Sequence, residues 1–309
     1  MNNNNIGTEI RNRVLQYQAK NAIYYKDHKL KTWVGISWTD FGDKIQKLSK
    51  ALLNFGIKEH QNVAIFAENM PDWIIADIAI MSIRAVTVPI YATNSRKEVE
   101  YIVNDAEINL IFVGCQEEYN KAFEISKTNN YLKLIVTLCE DIKFENTENS
   151  IHLNDFLVFK TNETIETELQ KRYYESESTD LASIIYTSGT TGEPKGVMLD
   201  HTNFTESLKA HDFELNVSEN DTSLSFLPLS HIYERSWVFF CLHRGIKVYF
   251  NQNPKLIVEV LKEVKPTLMC TVPRIFEKIF AAIQDKRKEA SPTSMKVASW
   301  ALGIGNAYY

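Results

Sequence analysis

Cysteine is scarce in this chain: four residues in 309 (Cys115, Cys139, Cys241, Cys270), far apart and with no C-x-x-C pair. That excludes a disulfide framework and a thiolate zinc site, and it suits a reducing compartment. The seven histidines show no metal-ligand spacing either. No apolar run approaches the roughly 20 residues that a membrane-crossing helix needs. The longest, Ile74–Ile83 and Trp237–Leu242, are short, and the first carries Asp77. Met1 is followed by four asparagines and a polar segment rather than the apolar core of a signal peptide. An excess of positive charge is also missing. With 34 basic against 39 acidic residues and a net charge of −5, the chain is not a general nucleic-acid binder, although a local basic site stays open. No internal repeat is visible. What is present is an ordinary globular composition, 44% apolar and 24% charged, in a chain long enough for a sizeable core. The default compartment is the cytoplasm.

Periodicity predicts an α/β fold. Trp38 to Gly56 reads as a helix with Thr39 as N-cap, because Phe41, Ile45, Leu48, Leu52 and Leu53 recur at helical spacing and Gly56 supplies a stop. Strands at Asn62–Ala67, Val86–Tyr91 and Asn109–Gly114 alternate with helices at Pro71–Ile83 and Lys97–Asp105. That βαβ spacing implies mainly parallel sheets flanked by helices. From 140 to 180 the character changes, with eleven acidic against four basic residues, and an acidic connecting segment is expected. A second α/β pattern starts at Leu181, with strands at Ser223–Leu227, Lys247–Phe250 and Thr267–Cys270. Helices are expected from Thr202 and at Tyr233–His243, Leu256–Val264 and Arg274–Asp285. The expected organisation is a flexible tail at 1–14, a first α/β subdomain at 15–180, and a second packed against it at 181–309.

Between the apolar runs Ile184–Tyr186 and Val197–Leu199 lies the chain's most informative segment. Thr187, Ser188, Gly189, Thr190, Thr191 and Gly192 are all hydroxylated or glycine, and Lys195 follows. Glycines let backbone N–H groups approach a ligand, hydroxyls add donors, and Pro194 restricts the backbone just before the lysine. This combination suits a polyphosphate. It is not a Walker A loop, since Pro194 stands where that pattern needs its second glycine and Gly196 follows the lysine.

Tyr186 through Gly196 resembles the phosphate-loop signature of the adenylate-forming (AMP-binding) enzymes: acyl-CoA synthetases, luciferases and the adenylation domains of peptide synthetases. Asn62-Val63-Ala64-Ile65 with Asn69-Met70-Pro71-Asp72-Trp73, and Val88-Pro89-Ile90-Tyr91-Ala92-Thr93, are similar to the same family. Two departures stand out. His60-Gln61-Asn62 replaces the family's usual Gly-Asp start, and Arg84 sits where glycine is common. Pro228 to Arg235, with Thr271 to Lys278, resembles the long-chain fatty acyl-CoA synthetase branch.

The resemblance implies ATP-dependent activation of a long-chain fatty acid to an acyl-adenylate and transfer to CoA. ATP, Mg2+ and CoA as co-substrate would be the small molecules involved. Thr187 is then the position whose hydroxyl meets the metal or the phosphates. Ser188 to Gly192 and Lys195 bind phosphate oxygens, and His231 lies beside the acyl carboxylate and the α-phosphate. His201 reads as structural. Trp237, Phe239, Phe240 and Leu242 either line an acyl tunnel or form plain core, and Glu234 and Arg235 pair with each other or with solvent. Two other functions are compatible: an acyl-AMP ligase serving a carrier protein, and a non-catalytic nucleotide- or lipid-binding module. Peripheral membrane contact and a homodimer stay open. The family's later Tyr-Gly-x-Thr-Glu and Thr-Gly-Asp stretches, its hinge and its mobile lid domain with a second lysine are not found between Gly196 and Tyr309. The resemblance therefore implies the N-terminal portion of a longer ligase.

Overall fold

The computed structural model describes residues 5–27, 29–160, 162–187, 193–288 and 291–308. The chain forms two compact units, 1–269 and 270–309. The first unit runs α1 (Ile6–Tyr17), β1 (Asn21–Asp27), β2 (Thr32–Ser37), α2 (Trp38–Phe55), β3 (Asn62–Phe66), α3 (Pro71–Ser82), β4 (Val86–Ile90), α4 (Arg96–Asp105), β5 (Leu110–Val113) and α5 (Gln116–Ser126). It continues with β6 (Leu134–Thr137), β7 (Ser150–His152), α6 (Leu153–Phe156), α7 (Glu163–Glu175), β8 (Leu181–Thr187), β9 (Lys195–Asp200), α8 (His201–Glu214), β10 (Thr222–Ser225), α9 (Ile232–His243), β11 (Lys247–Phe250) and α10 (Ile257–Val264). The second unit holds α11 (Pro273–Lys288) and α12 (Pro292–Tyr308). Among the described residues no helix is long and apolar enough to cross a membrane.

Two sheets organise the first unit. The larger has the order β7-β6-β5-β3-β4-β8-β9 and is parallel except at the β8–β9 pair. The smaller has the order β10-β11-β1-β2 and is parallel except at the β1–β2 pair. Strands β4 and β5 are buried at every residue, as expected where helices cover both faces of a parallel sheet. Along β3 the faces alternate. Val63 and Ile65 join one apolar cluster, while Ala64 and Phe66 join the other. Helix α3 is buried on every side, so it is a core helix rather than a surface one.

Several expectations are corrected. Residues 6–14 are not a flexible tail but most of α1, whose Ile6 and Ile10 are buried in the core and whose Asn5 caps it by accepting from Thr8 N. The sheets do not divide the chain at 180/181. Strands β8 and β9 complete the sheet begun by β3, and the N-terminal β1 and β2 pair with the late β11. Periodicity marks a strand but not its partner, which long-range burial selects. The acidic 140–180 segment contains β7, α6 and α7, with Leu169 and Tyr173 buried. The expected strand at Thr267–Cys270 reduces to an isolated bridge between Leu268 and Ser223, and the cap of α2 is Ser37 rather than Thr39.

Both departures from the family pattern fall on left-handed backbone. His60 has φ 60° and Arg84 φ 59°, a region where glycine is the unstrained residue. The two are joined, His60 N donating to Arg84 O at 2.7 Å. Arg84 also gains what glycine could not offer, donating through Nε and Nη2 to Asp180 at 2.8 and 3.0 Å and through Nη1 to Glu59 at 3.2 Å.

Candidate functional site

At the carboxyl ends of β4 and β8, the edge of an open α/β sheet where ligands usually bind, lies a cleft of about 740 Å³. Tyr91 and Asn94 reach it from the turn after β4, Lys97 and Tyr101 from α4, Thr187 from the end of β8, Glu193 and Pro194 from beyond it, and His231 from the start of α9.

Thr187 is the last residue of β8 and is exposed to this cleft. Its antiparallel partner across the hairpin is Lys195, the first residue of β9, also exposed. Paired residues share a face of the sheet, so the hydroxyl and the ammonium flank one mouth of the connecting loop. Ser188, Gly189, Thr190, Thr191 and Gly192 lie outside the described residues. The hairpin is tightly drawn just beyond the pair. Gly196 sits opposite Tyr186, and a Cβ there would stand 2.8 Å from Ile184 Cγ2 and 3.2 Å from Tyr186 Cζ. Only glycine admits that approach. Tyr186 in turn anchors the strand end, its phenol donating to Asp105 at the end of α4 and its ring meeting Tyr101 edge-on at 6.4 Å. Burial raises the Tyr186 pKa, and the hydrogen bond to the Asp105 carboxylate raises it further, so this phenol stays protonated.

His231 caps α9. Its Nδ1 accepts from Tyr233 N at 3.2 Å, so the neutral imidazole carries its proton on Nε2. The ring is exposed and meets Tyr91 edge-on at 6.4 Å. Asn69, buried after β3, holds the preceding turn at two points. It donates from Nδ2 to Leu227 O at 2.7 Å and accepts at Oδ1 from Leu229 N at 2.9 Å. Nothing local in the sequence marks Asn69 as a clamp, because its partners lie 158 and 160 residues away.

Among the described residues no group of three His, Cys, Asp or Glu could hold a metal ion. The donors that line the cleft, a threonine hydroxyl with isolated carboxylates, fit a magnesium ion carried largely by phosphate oxygens and water rather than a protein cage.

Other expected roles are resolved by burial. Phe239, Phe240 and Leu242 are fully buried in the core, and Trp237 donates from Nε1 to Ser223 Oγ at 2.9 Å, so these residues are packing rather than a tunnel wall. Glu234 and Arg235 pair neither with each other nor with solvent. Arg235 is wholly buried against Asp77, while Glu234 is buried apart from it, and burial pushes its carboxyl up to about 8. His201 is structural as expected: buried at the start of α8, it accepts at Nδ1 from Ile6 N at 3.5 Å.

Comparison with known proteins gives a consistent picture. A model of the AMP-binding enzyme family matches residues 10–305. The Long-chain-fatty-acid–CoA ligase ACSBG2 of Gallus gallus is 32% identical over 283 residues, covering 88% of this chain and 37% of that protein. Its Homo sapiens counterpart is 31% identical over 282 residues, covering 89% and 42%. The chain thus spans about two fifths of the length of these relatives. Among solved structures, the adenylation domain of a carboxylate reductase from Mycobacterium chelonae superposes with a TM-score of 0.74 at 18% identity, over 94% of this chain and 49% of that one. At that identity the likeness concerns the fold.

Proposed function

The chain belongs to the AMP-binding enzyme family, and from that premise we propose that it carries the phosphate-facing part of an ATP-dependent long-chain fatty acid–CoA ligase. In the reaction proposed, a carboxylate oxygen of the fatty acid attacks the α-phosphorus of ATP. The bond to the β-phosphate breaks and pyrophosphate leaves with its electron pair. The thiolate of CoA then attacks the acyl carbon of the adenylate and expels AMP.

Two anions meet in the first step, so the site must offset negative charge and hold the reactants in line. Lys195 supplies a mobile cation at the loop mouth and Thr187 a hydroxyl beside it, with Ser188 to Gly192 assigned to the β- and γ-phosphate oxygens. Magnesium, when bound on the triphosphate, would add positive charge there, with Thr187 as its protein ligand. His231, which lines the cleft, is assigned to donate from Nε2–H to the α-phosphate as its oxygens crowd in the transition state.

The observation that carries this reading is the register of Thr187 with Lys195 and the placing of Thr187 and His231 in one cleft at the sheet's carboxyl edge. Relatives named as long-chain fatty acid–CoA ligases support the substrate class. The test is fatty-acid-dependent exchange of labelled pyrophosphate into ATP by the full-length protein, followed by detection of acyl-CoA. Exchange with acyl-CoA formation is expected. Exchange without it would redirect the acyl group to another acceptor such as a carrier protein, and ATP binding without exchange would reduce the chain to a nucleotide-binding module.

A further inference from the structure

Arg235 lies one helical turn after His231, on α9, and has no solvent exposure. Its guanidinium is shared among three elements. Nε and Nη2 donate to the two carboxylate oxygens of Asp77 at 2.7 and 2.5 Å, in the middle of α3. Nη1 donates to Ser183 Oγ at 2.7 Å, on β8. The Ser183 hydroxyl passes its own hydrogen to Thr87 O on β4 at 2.7 Å, closing the chain of bonds. Trp73, Phe204 and Phe239 place their rings 5.3 to 5.7 Å from the guanidinium carbon. The cation therefore sits in an apolar box, its donors directed at α3 and β8.

Such a node is a poor way to gain stability. Desolvating two charges costs several kcal/mol each, about what their attraction returns, and a well-packed apolar set of the same volume often does as well or better. What a bidentate, three-element contact supplies is geometry, since a planar guanidinium fits a carboxylate in one orientation. Two of the elements it joins carry cleft residues, His231 at the start of α9 and Thr187 at the end of β8. From Arg235 back to His231 is about one turn, roughly 6 Å along α9. From Ser183 to Thr187 is four residues of strand, roughly 13 Å, and the even spacing leaves both on one face of β8.

We propose that Arg235 is a positioning residue that sets the first turn of α9, and with it His231, against β8 and Thr187 at its end. This rests on the function proposed above only in that His231 acts in adenylation. Asp77 and Ser183 are the other two parts of the device: the aspartate orients the guanidinium, and the serine transmits its position to the strand.

The test is a double-mutant cycle on pyrophosphate exchange in the full-length protein, with folding followed by circular dichroism and thermal melting. Arg235→Lys keeps the charge but cannot reach Asp77 and Ser183 together. It is expected to lower kcat for exchange about tenfold or more while the KM for ATP stays within about threefold, since the contact it disturbs acts in the transition state. In a His231→Ala background the same change should cost less than about twofold, because the residue through which it acts is gone. An equal loss in both backgrounds, or a change in KM alone, would overturn the proposal. Should Arg235→Lys not fold, Ser183→Ala removes one hydrogen bond and carries the same comparison. A readout without turnover separates this inference from the function itself: the 13C-labelled ring signal of His231 should shift in Arg235→Lys. If the parent protein shows no exchange, the functional reading falls, and an unmoved His231 signal would then dispose of the positioning role as well.

Discussion

Acidification should unlock α1 through a single histidine. His201 is 2% exposed, and its ring nitrogen Nδ1 is the acceptor for Ile6 N at the first turn of α1. Burial is the largest influence on it; Asp180 pulls the other way and Arg235 adds to the burial effect, leaving the pKa lowered from 6.5 to about 4. Protonation would place a cation in the core and convert the acceptor into a donor facing an N–H. Below pH 6.5 the unfolded chain takes up a proton that the folded chain refuses. The stability tied to this group is therefore complete above pH 6.5 and is lost as the pH falls toward 4. At about 1.4 kcal/mol per pKa unit the full effect is about 3 kcal/mol, of which about 2 kcal/mol is already lost at pH 5. The assay is urea unfolding at pH 7, 6 and 5 for the parent and for His201→Asn, whose amide oxygen replaces Nδ1 as acceptor without titrating. Carboxylates common to both chains cancel in the difference. The parent should lose about 2 kcal/mol more than the variant between pH 7 and pH 5, with amide exchange in α1 accelerating in step. Parallel stability curves would refute the assignment of His201 as a neutral, buried acceptor.

Other predictions rest on the same geometry. Lys195→Ala should leave the melting temperature nearly unchanged, since the side chain is exposed. It should lower exchange about 10- to 150-fold, the kinetic equivalent of a charged hydrogen bond worth about 1.5–3 kcal/mol; undiminished exchange would remove the phosphate-loop assignment. Gly196→Ala must displace Ile184 or Tyr186 and should destabilise the β8–β9 hairpin by about 1–3 kcal/mol, read by thermal melting. Glu234 is buried with its carboxyl pushed up to about 8, so the folded chain holds a proton that the unfolded chain releases above its ordinary range near 4.5. Its stability is present below that range and lost as the pH rises toward 8, so Glu234→Gln should melt higher than the parent at pH 8 and close to it at pH 4.5. A variant that is less stable at pH 8 would show that the carboxylate is ionised and paired.

What the sequence determined by itself is local. Alternating and helical apolar spacings marked β3, α3, β4 and β11 within a residue or two, because those periods are properties of the backbone. The hydroxyl- and glycine-rich run before Lys195 raised the expectation of a phosphate site, because that chemistry needs those residue types close together in the chain, although Ser188 to Gly192 lie outside the described residues. The resemblance to adenylate-forming enzymes rested on the same contiguous strings and agrees with the family match. Tertiary structure decided everything that depends on a partner far away. The Asn-rich start hid a helix whose Ile6 and Ile10 have value only against a core built later. Strand β8 carries no mark of its parallel neighbour β4 or antiparallel neighbour β9, since both pairings satisfy the same hydrogen bonds and only burial of both faces chooses between arrangements. The sequence paired Arg235 with Glu234 or with solvent because its ligand Asp77 lies 158 residues earlier, inside a largely apolar helix. A buried ion pair leaves no local signature in either partner: each residue alone would be costly in the core, and only folding brings together the two charges that make burial tolerable.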